Sequence, residues 1–199
     1  MTIIKNIFII LPTILLSFIA CAQSTIYPVG LKVGDTAPLI KSVDQKGNKI
    51  DLKKILQSGD VVLIFYRGQW CPYCNKQLKT FNDSLQYIAA KGARVLAITP
   101  ETFENIQKTI QKTNAIFSVI EDKNLTIMKE YKVNFAVDDK TIIKYKNYGI
   151  DFNIANGENG ANLPVPATYI IGKNGKIKYA FFNTDYSKRT SVKDILDHL

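Results

Sequence analysis

The sequence is poor in residues that bind metals or cross-link chains. Its 199 residues include three cysteines and one histidine. A structural zinc site takes four ligands, two more than the pair Cys71 and Cys74 supplies. Only Cys21 and His198 are left to complete it. A purely structural Cys71–Cys74 bridge would close a loop too short to stabilise the fold much. Both are therefore the weaker interpretations of the pair, and no metal or cofactor is predicted.

The sequence also lacks clustered charge of one sign. It has 26 basic and 17 acidic residues, but the lysines are dispersed, with no basic run and no patch interleaved with aromatic residues. A surface that binds nucleic acid would need such clustering. The composition therefore predicts no nucleic-acid partner and a solvated basic surface, attracted at most weakly to anionic membrane.

Cys71 and Cys74 lie between an apolar run and a helical pattern. Residues 61–66 are uniformly apolar, as expected of a strand buried on both faces of a sheet. Apolar residues then recur at helical spacing over 78–88, which places Cys71 at a helix start, where free N–H groups and the helix dipole favour a thiolate. The pair predicts a redox-active disulfide, with Cys71 as the nucleophile of lower pKa and Cys74 as the resolving thiol.

The first residues have the pattern of a targeting segment. After Lys5, residues 7–20 carry no charge and are mostly apolar, which predicts a secretory signal, with a membrane anchor as the alternative. Two processing sites compete. Ile-Ala-Cys at Cys21 resembles a bacterial lipobox, in which that cysteine is lipidated, whereas cleavage after Ala22 fits an ordinary signal peptidase.

The remainder predicts one domain. The chain is 46% hydrophobic, enough for one compact core. We expect a signal or lipoprotein signal segment over 1–22, a tether over 23–32 and the domain over 33–199. The expected location is the bacterial cell envelope, facing the periplasm, lipid-anchored if Cys21 is modified. Disulfides persist in such a compartment.

The pattern of elements indicates an α/β fold. A hairpin is expected over 39–52, and a second over 167–182 carries an Asn-Gly turn. Strands and helices alternate between them, which implies a mixed, mostly parallel sheet with helices on both faces. Thr99-Pro100-Glu101 indicates a helix start, with Thr99 as the cap and Glu101 in an acidic first turn.

Residues 134–163 are less regular. We expect a helix near 140–148 and an irregular Asn/Gly-rich tail over 153–162. Loops of this length are unusual in compact domains and often serve as lids or binding surfaces. The segment is therefore expected to reach the rim of the cysteine site.

Three motifs carry a resemblance to a known family, namely Val33–Pro38, Phe65–Cys74 and Leu163–Ile171. In this order they resemble the peroxiredoxin-like branch of the alkyl hydroperoxide reductase/thiol-specific antioxidant (AhpC/TSA) redoxin family. The resemblance implies a thioredoxin-like α/β fold with an N-terminal hairpin extension. It also implies a thiol-dependent oxidoreductase.

Several supporting residues follow. By the resemblance, Pro166 would be a cis-proline facing the disulfide, leaving the Val165 backbone free to contact an extended substrate. Arg67, four residues before the first cysteine, would bring its charge to the thiolate. Arg189 is a second candidate for this role, and Trp70 would shield one side of the site.

The resemblance implies an exported peroxidase. Cys71 would attack a peroxide, Cys74 would close the disulfide, and a thioredoxin-like donor would reduce it. The family carries a proline seven residues and a threonine or serine three residues before the attacking cysteine, where Cys71 has Ile64 and Gly68. The absent hydroxyl favours the alternative, exchange with protein disulfides. A non-catalytic envelope binding module is the third hypothesis.

Overall fold

The computed structural model describes residues 28–199, so Cys21 and the predicted signal segment lie outside the described residues. The strands are β1 (Lys41–Val43), β2 (Lys49–Asp51), β3 (Val61–Phe65), β4 (Arg94–Thr99), β5 (Ser118–Glu121), β6 (Asn134–Ala136), β7 (Asn162–Pro164), β8 (Ala167–Ile171) and β9 (Ile177–Phe182). The helices are α1 (Leu52–Leu56), α2 (Pro72–Asp83), α3 (Leu85–Ala90), α4 (Phe103–Thr113), α5 (Thr126–Glu130), α6 (Asp139–Asn147), α7 (Phe152–Asn156) and α8 (Val192–His198).

Five strands form the central sheet, in the order β5-β4-β3-β8-β9. β4 pairs parallel with both β3 and β5, whereas β8 pairs antiparallel with β3 and β9. Four strands therefore point one way and β8 runs against them. This mixed sheet confirms the predicted thioredoxin-like α/β fold class.

β3 lies at the centre because both of its faces are apolar. Val61, Leu63 and Phe65 belong to the core on one face of the sheet. Val62 and Ile64 belong to the core on the other face, which also contains the two cysteines. A strand with no polar face is stable only where other parts of the protein cover both of its faces. The position of β3 brings the loop that follows it to the cysteine site.

Both predicted hairpins are confirmed. β1 pairs with β2, and β8 pairs with β9 across the Asn-Gly turn. The first hairpin is held against the sheet by Gln45, whose N–H donates to the Val119 carbonyl at 3.0 Å and whose side-chain oxygen accepts from the Val119 N–H at 2.7 Å.

The segment over 134–163 is more regular than expected. Helix α6 confirms the predicted helix near 140–148. The Asn/Gly-rich tail, predicted to be irregular, instead forms α7 and a 3-10 turn over Gly157–Asn159. The reason is that two buried asparagine amides hold the segment by hydrogen bonds. Asn159 makes a tertiary bond by donating to the Pro100 carbonyl at 2.9 Å, and Asn156 makes a local bond by donating to the Gly160 carbonyl at 2.8 Å.

Two properties of residues 28–199 bear on the function classes. Within that range no helix is long and apolar enough to cross a membrane. The same residues contain no group of three or more His, Cys, Asp or Glu side chains arranged to hold a metal ion.

Candidate active site

The cysteine pair lies at the start of α2, as predicted. Cys71 is the N-cap of the helix, with an extended backbone (φ −89°, ψ 111°), and Pro72 occupies the first helical position, where a missing N–H costs nothing. The Cys71 sulfur accepts the Cys74 N–H at 3.4 Å. Both residues are free thiols, and their exposed fractions are 1% and 0%.

Cys74 receives more donors than Cys71. The Arg67 N–H lies 3.5 Å from the Cys74 sulfur, and the Arg189 guanidinium Nη2 lies 3.4 Å from it. None of the four ion pairs formed within residues 28–199 involves either arginine. The Cys74 sulfur, once it has lost its proton, is therefore the group that can compensate the positive charge of Arg189.

This geometry favours the thiolate on Cys74, whereas the helix start predicts it on Cys71. Burial by itself raises the pKa of Cys74, but the hydrogen bond from the Cys71 thiol, the Arg189 charge and the Arg67 N–H outweigh it and lower the pKa to about 6. The hydrogen bond to Cys74, followed by burial, raises the pKa of Cys71. The helix start favours Cys71, but a direct cation and two donors favour Cys74 more strongly.

The Arg67 guanidinium lies among aromatic rings and donates no hydrogen bond to either sulfur, although its charge lowers the pKa of Cys71, as predicted. Its guanidinium carbon lies 5.1 Å, 5.4 Å and 4.6 Å from the ring centroids of Trp70, Tyr145 and Tyr186, and it donates to the Tyr145 hydroxyl. Arg67 is 5% exposed. Cation–π contacts of this kind stabilise a buried guanidinium, so Arg67 serves the site through its backbone N–H and as the centre of an aromatic cluster.

Trp70 covers one side of the site. Its ring packs against Tyr145 at 5.2 Å and Phe152 at 5.9 Å between centroids. Tyr145 belongs to α6, so the inserted segment does reach the rim of the cysteine site. The cluster of Arg67, Trp70, Tyr145 and Tyr186 borders the sulfurs through Trp70, which packs against the core that contains both cysteines.

Arg189 is positioned by the turn between β9 and α8. Asp185 accepts the Ser187 N–H at 2.9 Å, and the Arg189 guanidinium donates to the carbonyls of Tyr186 and Lys188. These bonds to the turn use Nη1 of Arg189 and leave Nη2 to contact the Cys74 sulfur. The sequence could not rank Arg189 above Arg67, because the two residues that meet are 115 positions apart.

Pro166 is not a cis-proline, which corrects that expectation. All peptide bonds in the described residues are trans. The chain stays extended from β7 into β8 because the Val165 N–H donates to the Val133 carbonyl at 2.8 Å and the Pro166 carbonyl accepts the Asn183 N–H at 3.3 Å. Both residues line a groove beside Arg67.

That groove has a volume of about 630 Å³ and is mostly apolar. It runs between β6, the start of α6 and the segment before β8, and it ends at the aromatic cluster. Its lining residues are Pro28, Arg67, Phe135, Ala136, Val137, Asp138, Thr141, Tyr145, Pro164, Val165, Pro166, Thr184 and Tyr186. A site of this size and polarity suits the organic part of a small molecule.

Glu101 does not occupy the helix position that its sequence pattern predicts. Helix α4 begins at Phe103 with Thr102 as its N-cap, so Glu101 lies before the helix and not in its first turn. Its side chain is turned inward and accepts the Gln69 N–H, in the loop before Cys71, at 2.6 Å. Acidic residues near a helix start usually favour the dipole. Here the Gln69 N–H binds the carboxylate instead of the free N–H groups at the helix start.

A family comparison agrees with the dithiol geometry. The model of the AhpC/TSA family matches residues 33–180, about three quarters of the chain. The chain belongs to the AhpC/TSA family.

Relatives of this AhpC/TSA protein fall into two groups. It is 28% identical over 99 residues to a putative peroxiredoxin bcp of Coxiella burnetii, a match that spans 50% of this chain and 65% of that protein, just under two thirds. It is 23% identical over 193 residues to the thiol-disulfide oxidoreductase ResA of Geobacillus kaustophilus, covering 94% of this chain and 90% of that protein.

Solved peroxiredoxin structures share its fold. Peroxidoxin BcpB of Mycobacterium tuberculosis superposes with a TM-score of 0.64 at 20% identity, over 84% of this chain and 96% of that one. A cysteine-to-serine mutant of Xylella fastidiosa PrxQ gives 0.62 at 17% identity, over 85% and 95%. Family membership and the buried dithiol make this AhpC/TSA protein a thiol oxidoreductase.

Proposed function

We propose that this AhpC/TSA protein reduces peroxides through a dithiol–disulfide cycle of Cys71 and Cys74. The observation that supports it best is the Arg189 guanidinium at 3.4 Å from the Cys74 sulfur. A thiolate beside a fixed cation persists at neutral pH, and the same cation can stabilise charge that develops on the leaving oxygen. Both sulfurs are almost fully buried, which favours a small substrate.

In this cycle Cys74 attacks. Its thiolate forms a bond to one peroxide oxygen and breaks the O–O bond, leaving a sulfenic acid on Cys74 and an alcohol or water. The Cys71 sulfur then displaces the oxygen from Cys74 as water and closes the disulfide. Cys71 begins this step as a thiol, in agreement with its raised pKa.

This assignment accounts for the hydroxyl that the sequence lacks. Counted back from Cys74, the family's proline and its threonine or serine fall at Arg67 and Cys71. The Cys71 thiol therefore stands where the family places a hydroxyl, and it bonds Cys74 as a hydroxyl would. One residue would then supply both the hydrogen bond to the thiolate and the resolving sulfur.

A thioredoxin-like dithiol protein is the proposed electron donor. Two electrons must enter the disulfide in each cycle, and a donor thiolate delivers them by attacking one sulfur. Because both sulfurs are almost fully buried, we expect the neighbouring Arg67–Trp70–Tyr145–Tyr186 cluster to move during this step. Donor peptide could lie along Val165 and Pro166, whose groove adjoins the cluster.

The groove predicts a preference for organic hydroperoxides. Thr141→Trp, on the groove wall, should lower kcat/KM for cumene hydroperoxide by about tenfold, the scale at which a filled apolar pocket discriminates, and leave hydrogen peroxide nearly unaffected. Ile143→Trp is the matched control, since it lies two residues on in α6 and is 62% exposed. Equal losses for both peroxides in Thr141→Trp would remove the groove from substrate selection.

Exchange with protein disulfides is the second candidate. It is favoured by the similarity to ResA over nearly the whole chain and by the Cys-x-x-Cys spacing. The deciding experiment measures consumption of hydrogen and cumene hydroperoxides with thioredoxin as donor, in parallel with reduction of insulin disulfides. Peroxide turnover without insulin reduction supports the first candidate, and the converse supports the second. Inactivity in both assays would favour the third hypothesis, a non-catalytic binding module.

We also propose export to the cell envelope with a lipid on Cys21, supported by the uncharged stretch over 7–20. Cells grown with labelled palmitate should yield a labelled wild-type protein in the membrane fraction. Cys21→Ser should lose the label and the membrane association, with Ser24→Ala as the control. Processing after Ala22 with no label would favour a soluble exported form.

A further inference from the structure

Glu101 is a fully buried carboxylate, with an exposed fraction of 0%. It joins none of the four ion pairs formed within residues 28–199. One oxygen accepts the Gln69 N–H at 2.6 Å and the other accepts the Thr109 hydroxyl at 3.1 Å. Burying a carboxylate without a cation is costly unless the group can take up a proton. Such a group beside a reactive site is a candidate for a role in its chemistry.

A short loop connects Glu101 with the sulfurs. The Arg67 N–H contacts the Cys74 sulfur, and two residues later the Gln69 N–H contacts Glu101. Gly68 lies between them, and a Cβ at this position would stand 3.0 Å from the Glu101 carboxylate. The carboxylate therefore packs directly against the loop that holds the thiolate.

The two acids influence each other's charge. Burial raises the pKa of Glu101 to about 7, against the hydrogen bonds from Gln69 and Thr109, and the Cys74 charge adds to the rise. Two negative charges this close in a buried site do not form independently. Loss of the Cys74 charge, as in the disulfide, should therefore let Glu101 ionise more readily.

Groups from the end of β3 and from α4 also lie around Glu101 or the loop that it contacts. From the end of β3 comes Tyr66, whose pKa burial and the Glu101 charge raise well above its usual value. From α4 come the neutral Thr109 and, on the outer side of the loop, Lys112, which donates to the Gln69 carbonyl at 3.1 Å. Lys112 is thus bound to Gln69 and forms no ion pair with the carboxylate.

We propose that Glu101 is a positioning residue that exchanges one proton with the redox state of the dithiol. It is protonated while Cys74 is a thiolate and ionised once the Cys71–Cys74 disulfide has formed. This inference rests on the proposed dithiol cycle. It adds a group that touches neither substrate nor sulfur but sets how reduction depends on pH.

The proton count of the cycle supports this role. A thiolate, a thiol, a hydroperoxide and one proton yield a disulfide, an alcohol and water. The leaving oxygen of the first step takes up that proton, while the Cys71 proton leaves with the water of the second step. Glu101 releases one proton over the same interval, so the site can turn over without a net change in its charge.

The test is the reduction potential of the Cys71–Cys74 pair as a function of pH, in the full-chain protein. Samples are equilibrated in dithiothreitol redox buffers, alkylated, and read by mass spectrometry of the peptide that carries both cysteines, which separates them from Cys21. In a two-electron couple, each proton taken up changes the potential by about 30 mV per pH unit. Wild type should take up two protons between pH 6 and 7, a slope of about 60 mV, and one proton above pH 7.5.

Glu101→Gln should halve the slope between pH 6.5 and 7 to about 30 mV per unit, because Cys74 is then mostly a thiolate and only Cys71 gains a full proton. Glu104→Gln is the matched control, since it carries the same change on the exposed first turn of α4 and should keep the wild-type slopes. A Glu101→Gln protein with wild-type slopes would overturn the proposal. Since no peroxide is used, this result is independent of whether the protein reduces peroxides.

A second measurement needs no variant. Infrared difference spectra of reduced minus oxidised wild type, with isotope-labelled glutamate, should show one glutamic acid carboxyl gaining a proton on reduction at pH 6.5. The signal should vanish above pH 8. If no glutamate changes protonation between the two redox states, the proposal is wrong even where Glu101→Gln fails to fold.

Discussion

Cys74→Ser should abolish peroxide turnover, with a loss of roughly four orders of magnitude or more, the scale on which removal of a nucleophile acts. The variant should also form far less sulfenic acid, because no guanidinium is hydrogen-bonded to the remaining Cys71 thiol, and burial still raises its pKa after the bond to the Cys74 sulfur is lost. The measurement is peroxide consumption together with trapping of sulfenic acid by dimedone and mass spectrometry.

Cys71→Ser should behave differently. It should react with one equivalent of peroxide and accumulate a sulfenic acid on Cys74, because the thiolate and Arg189 remain while the resolving sulfur is gone. Its serine hydroxyl can still donate to Cys74, so the single oxidation should run near the wild-type rate. Cys71→Ala removes that donor and should oxidise more slowly.

Cys21→Ser controls for the third thiol and should keep wild-type turnover. The opposite pattern, with sulfenic acid trapped on Cys71 in Cys74→Ser and no oxidation of Cys71→Ser, would restore the order that the helix start predicts. Equal activity of both cysteine variants would exclude a dithiol cycle.

Arg189→Met should raise the pKa of Cys74 and slow the protein most at low pH. With the guanidinium at 3.4 Å in place, the pKa of Cys74 is about 6. If the pKa returns to the ordinary cysteine value of about 8.5, the thiolate fraction at pH 6 falls by about 100-fold. The direction follows from charge: removing a cation disfavours the anion, so ionisation moves to higher pH.

Iodoacetamide labelling of Cys74 from pH 4 to pH 10 measures this shift. Wild type should show a midpoint near 6, and Arg189→Met a midpoint more than about one unit higher. Lys188→Met, one residue away on the exposed turn, should match wild type. Arg189→Lys should give an intermediate value, since lysine keeps the charge but cannot make the same fork of bonds. An unchanged midpoint in Arg189→Met would mean that the Arg67 N–H and the Cys71 thiol account for the lowered pKa alone.

Expectations that depend on short stretches of sequence were confirmed. The uniformly apolar run over 61–66 can be satisfied only at the centre of a sheet. The Asn-Gly turn at Asn174 and Gly175 leads directly into a hairpin, and Pro72 places the start of α2 at Cys71. In each case the signal is a pattern of residues that are neighbours along the chain.

Expectations about the site failed where distant residues meet. Arg67 is adjacent to the cysteines in sequence, yet Tyr145 and Tyr186 draw its guanidinium into an aromatic cluster. Glu101 has the sequence pattern of a helix start, yet the Gln69 N–H, 32 positions away, binds its carboxylate. A local sequence pattern favours the residue that is nearest along the chain, whereas the interactions of a side chain depend on which groups lie near it in space.

The sequence by itself determined the fold class, the dithiol and its place at the first strand–helix junction, because burial of an apolar strand and capping of a helix are local requirements. Only the tertiary structure decided which sulfur contacts a guanidinium and is therefore favoured as the thiolate. That choice depends on one guanidinium brought 3.4 Å from Cys74 by a turn more than 100 residues later, and electrostatic interactions in a buried site depend on distance and solvation, neither of which a sequence displays.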